Sequence, residues 1–157
     1  MLQIEIKSSF VELGNFLRQF SEEGNVKAAS VLQNDLFFDD FASLIALSQS
    51  HNGWFTPEQV QFSVQSWAKA LTEDNLNQWL SNYDFSKIEP KKVGLVLAGN
   101  IPLVGFHDFL SVLISGHDVL VKTSSNDQYL LKFLAKYLIA IQPELNSKIT
   151  FVEGKLE

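Results

Sequence analysis

From Lys91 onward the chain alternates short apolar runs with amphipathic stretches, and this alternation constrains its fold more than any other feature. Val93-Gly94-Leu95-Val96-Leu97-Ala98 is an apolar run of strand length that ends at Gly99-Asn100. It lacks the polar alternation of a half-solvated strand, so it is expected to be buried on both faces. Residues 102–114 then read as a helix that opens at Pro102 and closes at Ser115-Gly116. Asp118-Val119-Leu120-Val121-Lys122 reads as a second strand. Residues 127–141 form an amphipathic helix that turns Leu130, Leu131, Phe133, Leu134, Tyr137, Leu138 and Ile141 inward, with Pro143 just past its end. Residues 148–152 give a third short strand. Parallel neighbours need a crossover, and a helix supplies it, so β-α-β-α-β is the unit of an open parallel sheet.

Before the seam at Glu89-Pro90 the rhythm is helical throughout. Phe10, Leu13, Phe16, Leu17 and Phe20 form one stripe, and Phe37, Phe41, Leu44, Ile45 and Ser48 form a second. Thr56-Pro57-Glu58-Gln59 has the makings of a capping box, with proline at the first helical position. Val60, Val64, Trp67, Ala68 and Leu71 continue that helix. Thr72 is expected to cap a further short one that buries Leu76, Trp79, Leu80 and Tyr83. Trp54, Trp67 and Trp79 read as core of this half, which is compatible with a groove lined by that core. The predicted organisation is a helical region over residues 1–88 and the first part of a dinucleotide-binding domain over residues 89–157. There is no internal repeat and no low-complexity tract.

Doubly wound sheets continue into a second mononucleotide-binding half. Here residues 153–157 follow the third strand directly, so the chain is expected to be the N-terminal part of something longer. Its open sheet edge and apolar surface would favour self-association, and the full-length protein is expected to be a homo-oligomer.

A 157-residue chain with 46% hydrophobic residues can bury a real core. Its net charge of −6 and scattered basic residues argue against a nucleic-acid or anionic-membrane partner. No apolar run approaches the roughly 20 residues of a membrane span. Residues 1–7 lack the pattern of a signal peptide, and the expected location is the cytoplasm. The chain contains no cysteine, which removes disulfides, thiolate metal sites and an internal cysteine nucleophile.

In sheets of this kind ligands sit beyond the carboxyl ends of the strands. Two turns qualify: Ala98-Gly99-Asn100-Ile101-Pro102 and Lys122-Thr123-Ser124-Ser125. The ordinary dinucleotide fingerprint, Gly-x-Gly-x-x-Gly with an acid about 20 residues later, fails here. Gly94, Gly99 and Gly105 have the wrong spacing, and Lys122 stands where the acid belongs.

Those departures fit another pattern. Residues 98–102 resemble the Pro-Trp-Asn-Phe-Pro turn of the aldehyde dehydrogenase superfamily. Residues 116–125 resemble its Gly-Asn-Thr-Val-Val-Leu-Lys-Pro-Ser-Glu strand, and Asn100 and Lys122 are 22 positions apart, as that pattern requires. With Trp54-Phe55-Thr56-Pro57 upstream, the wording Ala-Gly-Asn-Ile-Pro-Leu-Val-Gly-Phe-His-Asp is most similar to acyl-CoA reductases of the LuxC type. The resemblance covers essentially the whole chain, and its two turn motifs are moderately specific together.

The resemblance implies an α/β fold in which the β-α-β-α-β unit is half of an aldehyde-dehydrogenase-like Rossmann domain. It implies reduction of a fatty acyl-CoA to an aldehyde through a cysteine thioester, the cysteine lying outside these residues. Asn100 would be catalytic, its amide stabilising the oxyanion. Ala98, Gly99, Ile101 and Pro102 would form the cofactor turn, with Lys122, Ser124 and Ser125 at the adenosine ribose. Ser125 replaces the superfamily's glutamate, which favours NADPH over NADH. Gly99 for tryptophan and Thr123 for proline leave room for a different loop path.

Other readings stay open. The same fold serves aldehyde oxidation and acyl-phosphate reduction, and the helical half could instead be a non-catalytic binding module. Asn100 could be a simple turn residue, and Lys122 a solvated strand end. His107-Asp108 reads as helix-start electrostatics, His117-Asp118 as turn chemistry and His51-Asn52-Gly53 as loop. Glu22-Glu23 and Glu73-Asp74 read as solvated faces or helix starts. The three histidines lack metal-ligand spacing.

Overall fold

Apolar residues at helical spacing build four helices before any strand appears. The computed structural model describes residues 3–156. These helices are α1 (Gln3–Leu17), α2 (Asn34–His51), α3 (Pro57–Ala70) and α4 (Glu73–Leu80). There follow β1 (Lys92–Val96), α5 (Phe106–Ile114), β2 (Asp118–Lys122), α6 (Leu130–Ile141), a 3-10 turn (Pro143–Ser147) and β3 (Ile149–Phe151). The three strands are parallel in the order β1-β2-β3, with Val93 opposite Val119 and Val119 opposite Ile149. This α/β arrangement is consistent with a partial Rossmann-like domain.

The start of α3 follows from its sequence. The Gln59 N–H donates to Thr56 Oγ1 at 3.3 Å and the Thr56 N–H to Gln59 Oε1 at 3.4 Å, a complete capping box ahead of Pro57. Thr72 likewise accepts from the Asn75 N–H and starts α4.

One apolar core joins the helices to the sheet across Glu89-Pro90. Phe10 of α1 meets Phe106 and Phe109 of α5 edge-on, and Phe16 stacks on Tyr137 of α6. α1 therefore lies across α5 and α6, which themselves cover the sheet face carrying Val119 and Val121. Among the described residues no helix lies on the other face. There Gly94, Val96, Leu120 and Lys122 line up, and Leu156 alone folds back to within reach of Gly94.

Several expectations need correction. β1 is not buried on both faces: exposed and half-buried residues alternate along it, and Val96 is 73% exposed. An apolar run reports the need for cover, and only one face of this edge strand receives it. Residues 1–88 are not helical throughout, because 18–33 and 81–91 form turns and loops. In the first of these, Gly24 at φ 127° closes a turn, its N–H donating to Ser21 O at 3.1 Å. A buried amide pair holds the loop: Gln19 Oε1 accepts from the Ala28 N–H and from Asn34 Nδ2, which also donates to Ala28 O.

The helix expected from Pro102 begins at Phe106 instead, because Leu103 at φ 60° cannot continue a right-handed helix. Tyr83 is exposed rather than buried, since the chain leaves α4 at Ser81. Trp54 is 80% exposed and is not core. Trp67 and Trp79 are half-buried and line a cavity of about 330 Å³ with Leu71, Leu76, His107 and Leu110. No described helix is long and apolar enough to cross a membrane.

Candidate functional site

The parallel register brings the carboxyl ends of β1 and β2 side by side. Val96 pairs with Lys122, and the Leu97 N–H donates to Lys122 O at 3.0 Å. Both sequence-predicted turns therefore leave the same end of the sheet and pack against each other. Gly99 is in contact with Ser124. A Cβ on Gly99 would lie 2.6 Å from Ser124 Cβ and Oγ and 3.2 Å from Asn126 Cβ. Only glycine permits that approach without a shift of one turn.

Ser124 has a structural part in this contact. Its Oγ accepts from the Asn126 N–H at 3.2 Å, which closes the second turn. Ser125 is exposed at its tip. Lys122 is half-exposed on the uncovered face of the sheet, and its ammonium forms no ion pair among the described residues. No acidic residue stands among positions 122–126. An ammonium, three hydroxyls and no carboxylate form a donor set whose chemistry suits a phosphate group.

The first turn is more constrained. Ala98 is exposed, Gly99 and Pro102 are buried, and Asn100 and Ile101 are exposed. Leu103 is buried with a left-handed backbone, which side chains other than glycine rarely adopt. Gly105 packs beneath Leu97, where a Cβ would come within 2.5 Å of Leu97 Cδ1. The chain therefore doubles back beneath the end of β1 before α5 starts. Asn100 lies in a groove of about 350 Å³ with Trp54, Glu58, Phe62, Ile101 and Pro102, and its amide has no hydrogen-bond partner among the described residues.

Two residues outside the predicted set hold the turns together. Asn52, at the end of α2, is buried, and its Nδ2 donates to Gly99 O at 3.3 Å and to Asn126 O at 2.9 Å. Asp127, just before α6, faces the backbone N–H groups of Leu103, Tyr129 and Leu130. Burial raises its carboxyl above the usual aspartate range, and those N–H groups only partly offset that. Asp127 thus connects the left-handed Leu103 to the start of α6.

Of the remaining candidates, His107 and His117 take the places expected of them, whereas His51, expected in a loop, is the last residue of α2. His107 and Asp108 are exposed in the first turn of α5, 3.8 Å apart, with His107 beside Trp79. His117 Nδ1 accepts from the Lys91 N–H at 3.1 Å in the turn before β2. His51 stacks on Tyr129 with ring centroids 4.1 Å apart. Among the described residues no three histidine, aspartate or glutamate side chains group as metal ligands do.

A family model described as acyl-CoA reductase (LuxC) matches residues 33–155, from the end of the 18–33 loop through β3. The long-chain acyl-protein thioester reductase of Aliivibrio fischeri is 32% identical over 71 residues, which are 44% of this chain and 15% of that protein. The chain therefore spans only a small part of the length of that relative. No solved structure matches.

Proposed function

The chain belongs to the acyl-CoA reductase (LuxC) family, and from that premise we propose that it carries the oxyanion donor and the adenosine side of a site that reduces fatty acyl thioesters to aldehydes. The observation that carries this reading is Asn100. Its amide has no partner among the described residues, lies in a groove, and stands on the turn that packs against the Lys122 turn.

NADPH, which we propose as the cofactor, would supply the hydride. Lys122 and Ser125 would hold its phosphorylated ribose, and the backbone of residues 98–102 would approach its pyrophosphate, because both lie at strand carboxyl ends. The hydride adds to the thioester carbonyl carbon, and the carbonyl oxygen takes up the negative charge. Asn100 donates to that oxygen, a stabilisation that counts most where the charge is greatest. The oxyanion then collapses, the carbon–sulfur bond breaks, and aldehyde and thiolate separate. With no cysteine in the chain, the acyl-carrying thiol comes from outside these 157 residues. Trp54, Phe62 and Ile101 give the groove apolar walls suited to an aliphatic substrate.

The test is acyl-CoA-dependent NADPH oxidation by the intact reductase that contains these residues. Asn100→Ala should lower kcat by about 100- to 1000-fold, the usual loss for one oxyanion donor. A variant that turns over at the wild-type rate overturns the assignment.

A further inference from the structure

We infer that Asn52 is a positioning residue that clamps the two turns of the site at a fixed separation, so that the helical half of the chain sets the geometry of both. This rests on the proposed function only where catalysis is the readout. The bonds that define the clamp are independent of it.

Every polar group of Asn52 is used. Nδ2 donates to Gly99 O in the first turn and to Asn126 O in the second. Oδ1 accepts from the Trp54 N–H at 3.0 Å. Its backbone N–H donates to Ser48 O, and its carbonyl accepts from the Phe55 N–H. The side chain is buried, so each lost bond leaves a carbonyl without water to replace the donor. One amide therefore fixes three things: where Gly99 sits, where the second turn ends, and where Trp54 overhangs the groove that contains Asn100.

The placement is specific to function-bearing backbone. Gly99 O immediately precedes Asn100, and Asn126 O immediately precedes Asp127, which faces the Leu103 N–H. Gly99 and Ser124 already touch, which prevents the turns from approaching further, while Asn52 prevents them from separating. Contact on one side and hydrogen bonds on the other define a separation. In the proposed reaction that separation sets the distance between the oxyanion donor and the ribose of the cofactor. Misplacement of about 1 Å at such a site can cost about 100-fold in rate.

The buried Gln19–Asn34 amide pair provides the control, because it has similar burial and bonding but joins the 18–33 loop to the first residue of α2, at the opposite end of that helix from Asn52. In the intact reductase, Asn52→Ala and the isosteric Asn52→Asp should each raise the NADPH dissociation constant and lower kcat by about tenfold or more, for two buried hydrogen bonds lost. Asn34→Ala should lower the Tm comparably yet leave both quantities within about twofold. Amide hydrogen exchange should quicken in residues 97–105 and 122–127 of the Asn52 variants and remain unchanged in α1.

Asn52 variants that shift Tm alone, with exchange in the two turns unchanged, overturn the clamp. If the wild type neither binds NADPH nor reduces acyl-CoA, the functional reading fails and the exchange pattern still decides the clamp. Asn52→Asp keeps the experiment informative if the alanine variant does not fold.

Discussion

Phe16 and Tyr137 stack with ring centroids 4.3 Å apart and an interplanar angle of 26°. This contact ties α1 to α6 and so locks the helical region onto the covered face of the sheet. Phe16 is fully buried and also meets Phe20, Phe41 and Phe133. Tyr137 is equally buried, and its hydroxyl donates to Leu32 O at 2.9 Å.

The two residues should respond differently to truncation. Phe16→Ala removes a buried ring and leaves a cavity, which should cost about 3–5 kcal/mol. Tyr137→Phe keeps the stack and loses one hydrogen bond, so its cost should be nearer 1 kcal/mol. Urea denaturation of both variants measures the difference. Equal costs would mean that the buried Phe16 ring contributes no more than the single hydrogen bond to Leu32 O.

Gly99→Ala should uncouple the turns from the opposite direction to Asn52. The added methyl meets Ser124 Cβ and Oγ at 2.6 Å, so one turn has to move. Overpacking of this kind costs about 1–3 kcal/mol. Adding Ser124→Gly removes the obstacle, and the double variant should recover part of the loss in Tm. Purely additive effects would show that the two residues are not in contact.

Much of this was legible in the sequence, and what was missed has physical causes. The capping box at Thr56, the strand at 118–122 and the inward face of α6 follow from local spacing, because local bonds and periodic burial create them. The two turns were found from the strand-end rule, and the structure brings them together. Asn52 was read as loop, since its partners lie 47 and 74 positions away and nothing in His51-Asn52-Gly53 announces them. The uncovered face of β1 was unreadable for a related reason: apolar residues look the same in sequence whether or not a neighbouring element covers them. Trp54 misled because a large ring usually signals core, whereas here it walls a groove beside Asn100.

Asp127 predicts a pH dependence with a definite sign. Burial holds its pKa in the folded protein above 3.8, the ordinary aspartate value that the unfolded chain has. As pH rises through 3.8 the unfolded chain releases this proton first, while the folded chain still holds it. Stability therefore falls with rising pH across the window from 3.8 up to the folded value, and is level on either side. Asp127→Asn keeps an acceptor for the Leu103, Tyr129 and Leu130 N–H groups but cannot ionise. Urea midpoints measured from about pH 4 to pH 7 on both proteins isolate this group, because every other carboxyl contributes equally to each. The wild type should lose stability relative to Asp127→Asn as pH rises through that window. A difference that is flat, or that grows in favour of the wild type, would mean that the carboxylate is fully compensated by its N–H partners, and the strain at Leu103 would then need another anchor.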